Sequence, residues 1–220
     1  MRLRKMPNAE AVLESSPYVI KEPEKLKGRW QEATGGRPLR LELGTGKGMF
    51  LMELAKRQRD VFFVGIELYD SVLFRAAEKM EGKGADEGFA APDNLLFICM
   101  DVRRLPEVFE PGEVEYLYLN FSDPWPKARH AKRRLTSENF LGIYDKVLKK
   151  GGGLQFKTDN KDLFEFSVES IGGAEGWRLT DITRDLHGDA ELSEGNVMTE
   201  YERKFTALGS KICMLRAVYE

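Results

Sequence analysis

Cysteine and histidine are nearly missing from this chain of 220 residues, which holds two of each. Cys99 and Cys213 are too few and too isolated for a disulfide framework or a cysteine metal site. Both sit in apolar runs, so they read as reduced core thiols of a cytoplasmic protein. With His130 and His187 as the only histidines, a histidine-rich metal site or a catalytic triad is excluded. No apolar run approaches membrane-spanning length, and the opening MRLRKMPNAE lacks the apolar core of a signal peptide. Charge of one sign is also lacking: 34 Lys/Arg against 36 Asp/Glu leave a net −2, which does not mark a nucleic-acid binder. No internal repeat or low-complexity tract is visible.

What is present points elsewhere. Hydrophobic residues make up 42% of the chain, enough for one core, and the length suits one domain with a terminal extension. The basic residues concentrate at 2–5, 127–134 and 146–150, and acidic residues collect at 181–194. A local field can attract phosphates while the total stays near zero.

Residues 1–37 read as an N-terminal arm with short helices over 9–15 and 23–31, closed by the break Gly35-Gly36-Arg37-Pro38. From residue 38 the pattern alternates. Strands are expected at 39–43, 61–67, 95–100, 114–120 and 154–158. Helices are expected at 49–58, 70–83 and 160–171, with a short turn or helix over 103–109. A further helix capped by Thr136 runs to Lys150 and is ended by the glycines 151–153. The segment 82–93 is a surface loop. Strands at 177–183 and 211–219 follow with no clear helix between them. This order predicts an α/β fold, a doubly wound, mostly parallel seven-stranded sheet with an antiparallel last strand.

The run Glu42-Leu43-Gly44-Thr45-Gly46-Lys47-Gly48 lies between the first strand and its helix. A P-loop would need Gly at Leu41 and Ser/Thr at Gly48, and a dinucleotide fingerprint would need Gly at Met49. The remaining reading is a nucleoside ligand without phosphates, S-adenosylmethionine (SAM). Glu67 ends the second strand, where a carboxylate can accept from ribose hydroxyls. Asp101 follows the third strand, placed to reach an adenine edge, and Glu42 precedes the glycines near the cationic end of such a ligand. Three acids at successive strand ends on one edge of a sheet suit a cationic ligand.

Residues 120–134 read NFSDPWPKARHAKRR. Pro124 and Pro126 hold Asp123 and Trp125 in a stiff, non-helical turn off the end of a buried strand. Lys127, Arg129, His130, Lys132, Arg133 and Arg134 follow on a loop. A rigid carboxylate beside an aromatic face and a dense basic cluster suits a base held near a phosphate backbone. The plainer alternative is a solvated basic loop.

In these motifs the chain resembles the bacterial tRNA (guanine-N(7)-)-methyltransferase family, Rossmann-like SAM-dependent enzymes, over nearly its whole length. The resemblance rests on ELGTGKG at 42–48, GIE at 65–67, NFSDPWPKARHAKRRL at 120–135, KTDN at 157–160 and TEYERKF at 199–205, and the MRLRK start is also similar. It implies a methyltransferase domain over 38–220. It implies SAM contacts from Glu42, Gly44, Gly46, Gly48, Glu67, Asp101 and Asp123, with Asp123 also catalytic. Lys127, Asp159, Thr199, Glu200, Tyr201 and Glu202 would contact the substrate. Arg129, His130, Ala131, Lys132, Arg133 and Arg134 would touch RNA. The loop 82–93 looks longer than usual, which bears on the placement of Asp101. The resemblance also implies tRNA as partner, a cytoplasmic monomer or homodimer, and no metal, membrane or obligatory protein partner.

The chemistry implied is methyl transfer to guanine N7 in the variable loop. N7 carries a lone pair, so no base must remove a proton first, and catalysis rests on positioning and electrostatics. A carboxylate accepting from guanine N1–H and its amine would stabilise the ring cation and reject adenine. Asp123 and Asp159 are both candidates. Two other readings stay open: methylation of an exocyclic adenine amine, because SDPWP loosely resembles a DPPY-type turn, and a non-enzymatic RNA-binding module. The segment 199–202 reads either as a lid over the base, swinging on an acidic stretch at 187–196 expected to be mobile, or as a capping box by its T-x-x-E spacing.

Overall fold

A computed structural model describes residues 8–83 and 88–220, so the basic residues expected at 2–5 and the centre of the 82–93 loop lie outside the described residues. Three strands pair side by side before Phe109 and four after it. The chain divides into two compact units, the first ending at Phe109 and the second spanning Glu110–Glu220.

In the first unit, β1 (Leu39–Leu43), β2 (Phe62–Glu67) and β3 (Leu95–Cys99) pair in parallel with β2 in the middle. Every residue of β2 is buried, as a parallel strand covered on both faces requires. Helix α1 (Ala9–Ser15) packs on α4 (Asp70–Met80), which follows β2. The backbone of Tyr18 and Ile20 bonds to Phe97 at 2.8 and 2.9 Å, which stitches the chain around Val19 to β3. The single helix expected over 23–31 is instead a 3-10 turn, Pro23–Leu26, and a short α2 (Trp30–Ala33), because Gly28 takes φ +75° between them. Trp30 is buried, stacks on Phe109 at 4.9 Å and donates to the Val108 carbonyl at 2.9 Å. Helix α3 (Met49–Arg57) follows β1, and α5 (Leu105–Val108) closes the unit.

Cys99 departs from its expected core position: it is exposed at the end of β3, whereas Cys213 is buried. Desolvation and the charges of Asp70 and Glu67 push the Cys99 thiol up to about 11, which keeps it protonated at neutral pH.

In the second unit, β4 (Val114–Asn120) runs parallel to β5 (Leu148–Thr158). β7 (Cys213–Tyr219) is antiparallel to both β5 and β6 (Trp177–Thr183), so β7 is the reversed strand. Two expectations fail here. Helix α6 (Glu138–Tyr144) is short and its N-cap position is Ser137, while the Thr136 hydroxyl is buried 2.7 Å from that of Ser167 on α7 (Lys161–Gly172). The glycines 151–153 do not end a helix. Gly152 and Gly153 lie inside β5, where a Cβ would fall 2.4 Å from the carbonyl oxygens of Glu115 and Ala217 respectively. They permit close backbone approach, and the β4–β5 register shifts beside them. The connection between β6 and β7 is also helical, through a 3-10 turn (Leu186–Gly188), α8 (Ala190–Ser193) and α9 (Glu200–Ala207).

Two glycines separate packing from propensity. A Cβ at Gly65 on β2 would lie 2.6 Å from the Phe97 ring, whereas one at Gly142 inside α6 meets nothing within 4 Å. Gly65→Ala should therefore destabilise by about 1–3 kcal/mol, and Gly142→Ala should stabilise by about 0.5–1 kcal/mol. Urea unfolding midpoints test this, and equal shifts in the two variants would contradict it.

Candidate active site

In the first unit the turn after β1 takes the left-handed conformation at Gly44, Gly46 and Gly48, with φ of +78°, +60° and +72°. The space beside Gly44 and Gly46 is open, but a Cβ at Gly48 would strike the Phe97 ring at 2.7 Å. Gly44 and Gly46 thus leave room for a ligand, and Gly48 serves the packing below. Four amides of this turn are already used. Gly44 and Thr45 donate to the Ile66 carbonyl at 2.8 and 3.0 Å, Gly46 to Glu67 Oε2 at 3.0 Å, and Gly48 to the Thr45 carbonyl at 3.0 Å. A phosphate cradle needs such amides turned outward, so this turn does not supply one.

The acids stand on the same edge because the strands are parallel and in register, Glu42 opposite Gly65 and Glu67 opposite Cys99. Glu42 is buried and accepts from the Thr45 hydroxyl at 2.6 Å. Glu67 also accepts from the Tyr69 amide at 3.1 Å through Oε1. Asp101 accepts from the Arg103 amide and Nε, both at 2.9 Å, and pairs with its guanidinium, which holds the carboxyl below the usual range. Open space over two glycines, committed amides and three carboxylates fit SAM, a cation without phosphate. Thr45 and Arg103 were missed in the sequence. Glu42 three residues before Thr45, and Asp101 two residues before Arg103, are the signals that point to them.

In the second unit the turn after β4 is strained. Phe121 and Trp125 have φ of +52° and +41°, and they are the two non-glycine residues with positive φ among the described residues. Each such conformation costs about 1–3 kcal/mol and persists where neighbours enforce it. Phe121 donates its amide to the Lys157 carbonyl at 2.8 Å. Trp125 meets the His130 ring edge-on at 5.8 Å and carries the Arg133 guanidinium over its face at 4.9 Å. Arg134 donates to the carbonyls of Pro124 and Trp125 at 3.0 and 3.2 Å and lies over the Phe166 ring. Asp123 is exposed between the two strained aromatics. Beside it the Ser122 hydroxyl oxygen is buried with no hydrogen-bond partner among the described residues, as expected where a bound group completes the site.

The basic run expected on a loop forms a 3-10 helix, Ala128–Arg133. Lys127, Arg129, Lys132 and Arg133 are exposed, and His130 and Ala131 are half-buried. Arg134 clamps the Asp123 turn from behind, a role its place in a charge run did not reveal.

Asp159 follows β5, on the same edge as Asp123 after the parallel β4. Its Oδ2 accepts from the Tyr201 hydroxyl at 3.2 Å. Thr199 and Glu202 form the capping box of α9, with the Thr199 hydroxyl accepting from the Glu202 amide at 2.9 Å. Glu200 is exposed at the start of α9. Glu202 is fully buried, with Lys157 Nζ 2.6 Å from its Oε2. The stretch expected to be mobile is folded: Asp185 and Asp189 cap its short helices, and Asn196 donates to Glu202 at 2.8 Å. Lys157 was missed, although a lysine inside the apolar LQFKT strand signals a buried partner.

Because both members of the Lys157–Glu202 pair are fully buried, removing one leaves an uncompensated charge. Lys157→Met should cost about 3–5 kcal/mol of stability, and the double change Lys157→Met/Glu202→Leu should recover most of it. Denaturant unfolding measures both, and a double variant no better than the single one would show that the charges do not depend on each other.

The family described as "Putative methyltransferase" matches residues 36–215. The chain is 48% identical to the tRNA (guanine-N(7)-)-methyltransferase of Lachnoclostridium phytofermentans, over 100% of this chain and 99% of that one. It is 46% identical to the enzyme of the same name from Bacillus subtilis, over 96% of each. Among solved structures, the 16S rRNA (adenine(1408)-N(1))-methyltransferase from Catenulisporales acidiphilia shares the fold, with a TM-score of 0.62 at 18% identity over 91% of this chain and 94% of that one. Matching end to end at nearly half of all positions, with the glycine turn and the strand-end carboxylates in place, the chain belongs to the tRNA (guanine-N(7)-)-methyltransferase family.

Proposed function

We propose that this protein transfers the methyl group of SAM to N7 of a guanosine in the variable loop of tRNA. The observation that carries the reading is the turn over residues 44–48, whose committed amides and neighbouring carboxylates suit a cationic, phosphate-free cofactor. Bound SAM would supply the electrophilic methyl group. Glu67 would face the ribose, Glu42 the amino-acid end, and Asp101, kept ionised by Arg103, the adenine edge.

Guanine N7 needs no proton removed, so the residues of this chain act by placement and by charge. Asp123 sits on a backbone held by Arg134 and flanked by Trp125 under the Arg133 guanidinium, so the carboxylate is carried on a turn shaped before substrate arrives. A carboxylate there faces the ring as it gains positive charge, and Asp159 can accept from guanine N1–H and its amine. Lys127, Arg129, Lys132 and Arg133 would meet phosphates. Methylation of an adenine amine is not favoured: the full-length relatives are guanine-N7 enzymes, and the adenine-modifying neighbour shares the fold alone. The same reading has the enzyme acting in the cytoplasm as a monomer or homodimer with no obligatory protein partner.

Incubation with labelled SAM and bulk tRNA, followed by nucleoside analysis, should yield 7-methylguanosine. Asp123→Asn should slow single-turnover transfer while tRNA affinity changes much less. Methyladenosine as the product would overturn the reading, and an undiminished rate in Asp123→Asn would remove that residue from the chemical step.

Lys127 and Lys132 are exposed and pair with no acidic side chain among the described residues. Changing both to Gln should weaken tRNA binding and lower the magnitude of its log–log salt slope by about 1.4–1.8. Arg134→Gln, which loosens the turn, should reduce methyl transfer more than it alters that slope. An unchanged slope in the double lysine variant would make this face a solvated surface.

A further inference from the structure

Glu202 has no oxygen left to offer a base. Its Oε2 receives Lys157 Nζ at 2.6 Å and the Thr199 amide at 3.4 Å, and its Oε1 receives Asn196 Nδ2 at 2.8 Å and lies 3.2 Å from His187 Nε2. Lys157 Nζ also donates to the Val197 carbonyl at 3.0 Å and to Asn196 Oδ1 at 3.2 Å. Both side chains are 0% exposed. The network therefore binds the start of α9 to the end of β5.

One residue along α9, Tyr201 points the other way. It is 41% exposed, its ring stacks on Phe205 at 4.0 Å and 20° and leans on Phe121 at 4.8 Å, and its hydroxyl donates to Asp159. Asp159 lies two residues beyond Lys157. The same strand end and helix start are thus joined twice, by a buried ion pair and by an exposed hydrogen bond to a carboxylate. A carboxylate at a strand end can rotate about its last side-chain bond, and a phenol held between two aromatic rings fixes its plane. Oδ2 keeps a lone pair beside the Tyr201 bond, and Oδ1 is available for a second donor.

We propose that Tyr201 is a positioning residue that holds Asp159 in the orientation that reads the N1–H and amine of guanine, and that the buried Lys157–Glu202 pair is the mount that aims it. This inference rests on the proposed function. It assigns Glu202 to the support of recognition and not to contact with the base.

The test is a double-mutant cycle in the full chain with Tyr201→Phe and Asp159→Asn, read as kcat/KM for methyl transfer to a tRNA transcript. A second transcript carries inosine, which lacks the exocyclic amine, at the target. Tyr201→Phe should lower kcat/KM on guanosine about tenfold, the scale of one hydrogen bond to a charged group. Its tRNA affinity by filter binding and its melting temperature should stay at wild-type values. The same change should cost nothing further in the Asp159→Asn background and less on the inosine transcript. In a folded Lys157→Met/Glu202→Leu protein, Tyr201→Phe should likewise add nothing. Additive losses, or wild-type activity in Tyr201→Phe, would remove the positioning role. A further drop on adding Tyr201→Phe to the charge-free pair would remove the mount. A wild-type enzyme that makes no 7-methylguanosine would remove the functional reading and this inference together.

Discussion

A carboxylate taken out of water has to be answered by a donor, and this requirement organises the strand ends within each unit. Glu42 is answered by the Thr45 hydroxyl, Glu67 by the amides of Gly46 and Tyr69, Asp101 by Arg103, and Glu202 by Lys157. Each answer also sets a piece of backbone. The Glu67 bond pins the glycine turn, the Asp101 bonds cap a 3-10 turn, Val102–Arg104, that leads into α5, and the Glu202 pair fastens α9 to β5. Electrostatics here is the means by which loops acquire defined shapes at the ends of strands.

The two units use different devices to prepare a surface for a ligand. In the first, glycines accept left-handed geometry without strain, and the amides are spent inside the turn, which leaves carboxylates to face a cation. In the second, bulky residues are forced into the same backbone region. Phe121 and Trp125 stay there because Lys157, Tyr201, His130, Arg133 and Arg134 surround them. Strain of this kind gathers where orientation matters more than stability. Part of the basic run serves that end: Arg134 shapes the turn, while Lys127 and Lys132 are exposed to solvent.

Much of this was legible in residue order. The strands at 39–43, 114–120 and 177–183 match the structure residue for residue, because apolar runs bounded by glycine, proline and charge have one good interpretation in an α/β chain. The acids at successive strand ends were legible for the same reason, since parallel register places the ends of β1, β2 and β3 on one edge. The T-x-x-E spacing at 199–202 announced its capping box, whose bonds are local. The glycines 151–153 misled because glycine signals either a turn or a close approach. Here the carbonyls of Glu115 and Ala217, far away in the chain, make it the second for Gly152 and Gly153.

What residue order settled by itself is therefore whatever depends on near neighbours: periodicity, caps, the left-handed glycine turn, the stiff proline-flanked carboxylate, and the family to which these motifs belong. What only the tertiary structure decided is which charges are paired and which are offered. Lys157 and Glu202 are 45 residues apart, Asp159 and Tyr201 42, and Arg184 and Glu165 19. No local pattern encodes such pairings, because they arise when a strand end and a helix start are brought to the same place by the packing of everything between them. A glutamate suited to touching substrate is thereby found fully buried, and the tyrosine beside it donates its hydroxyl to Asp159 at the strand end.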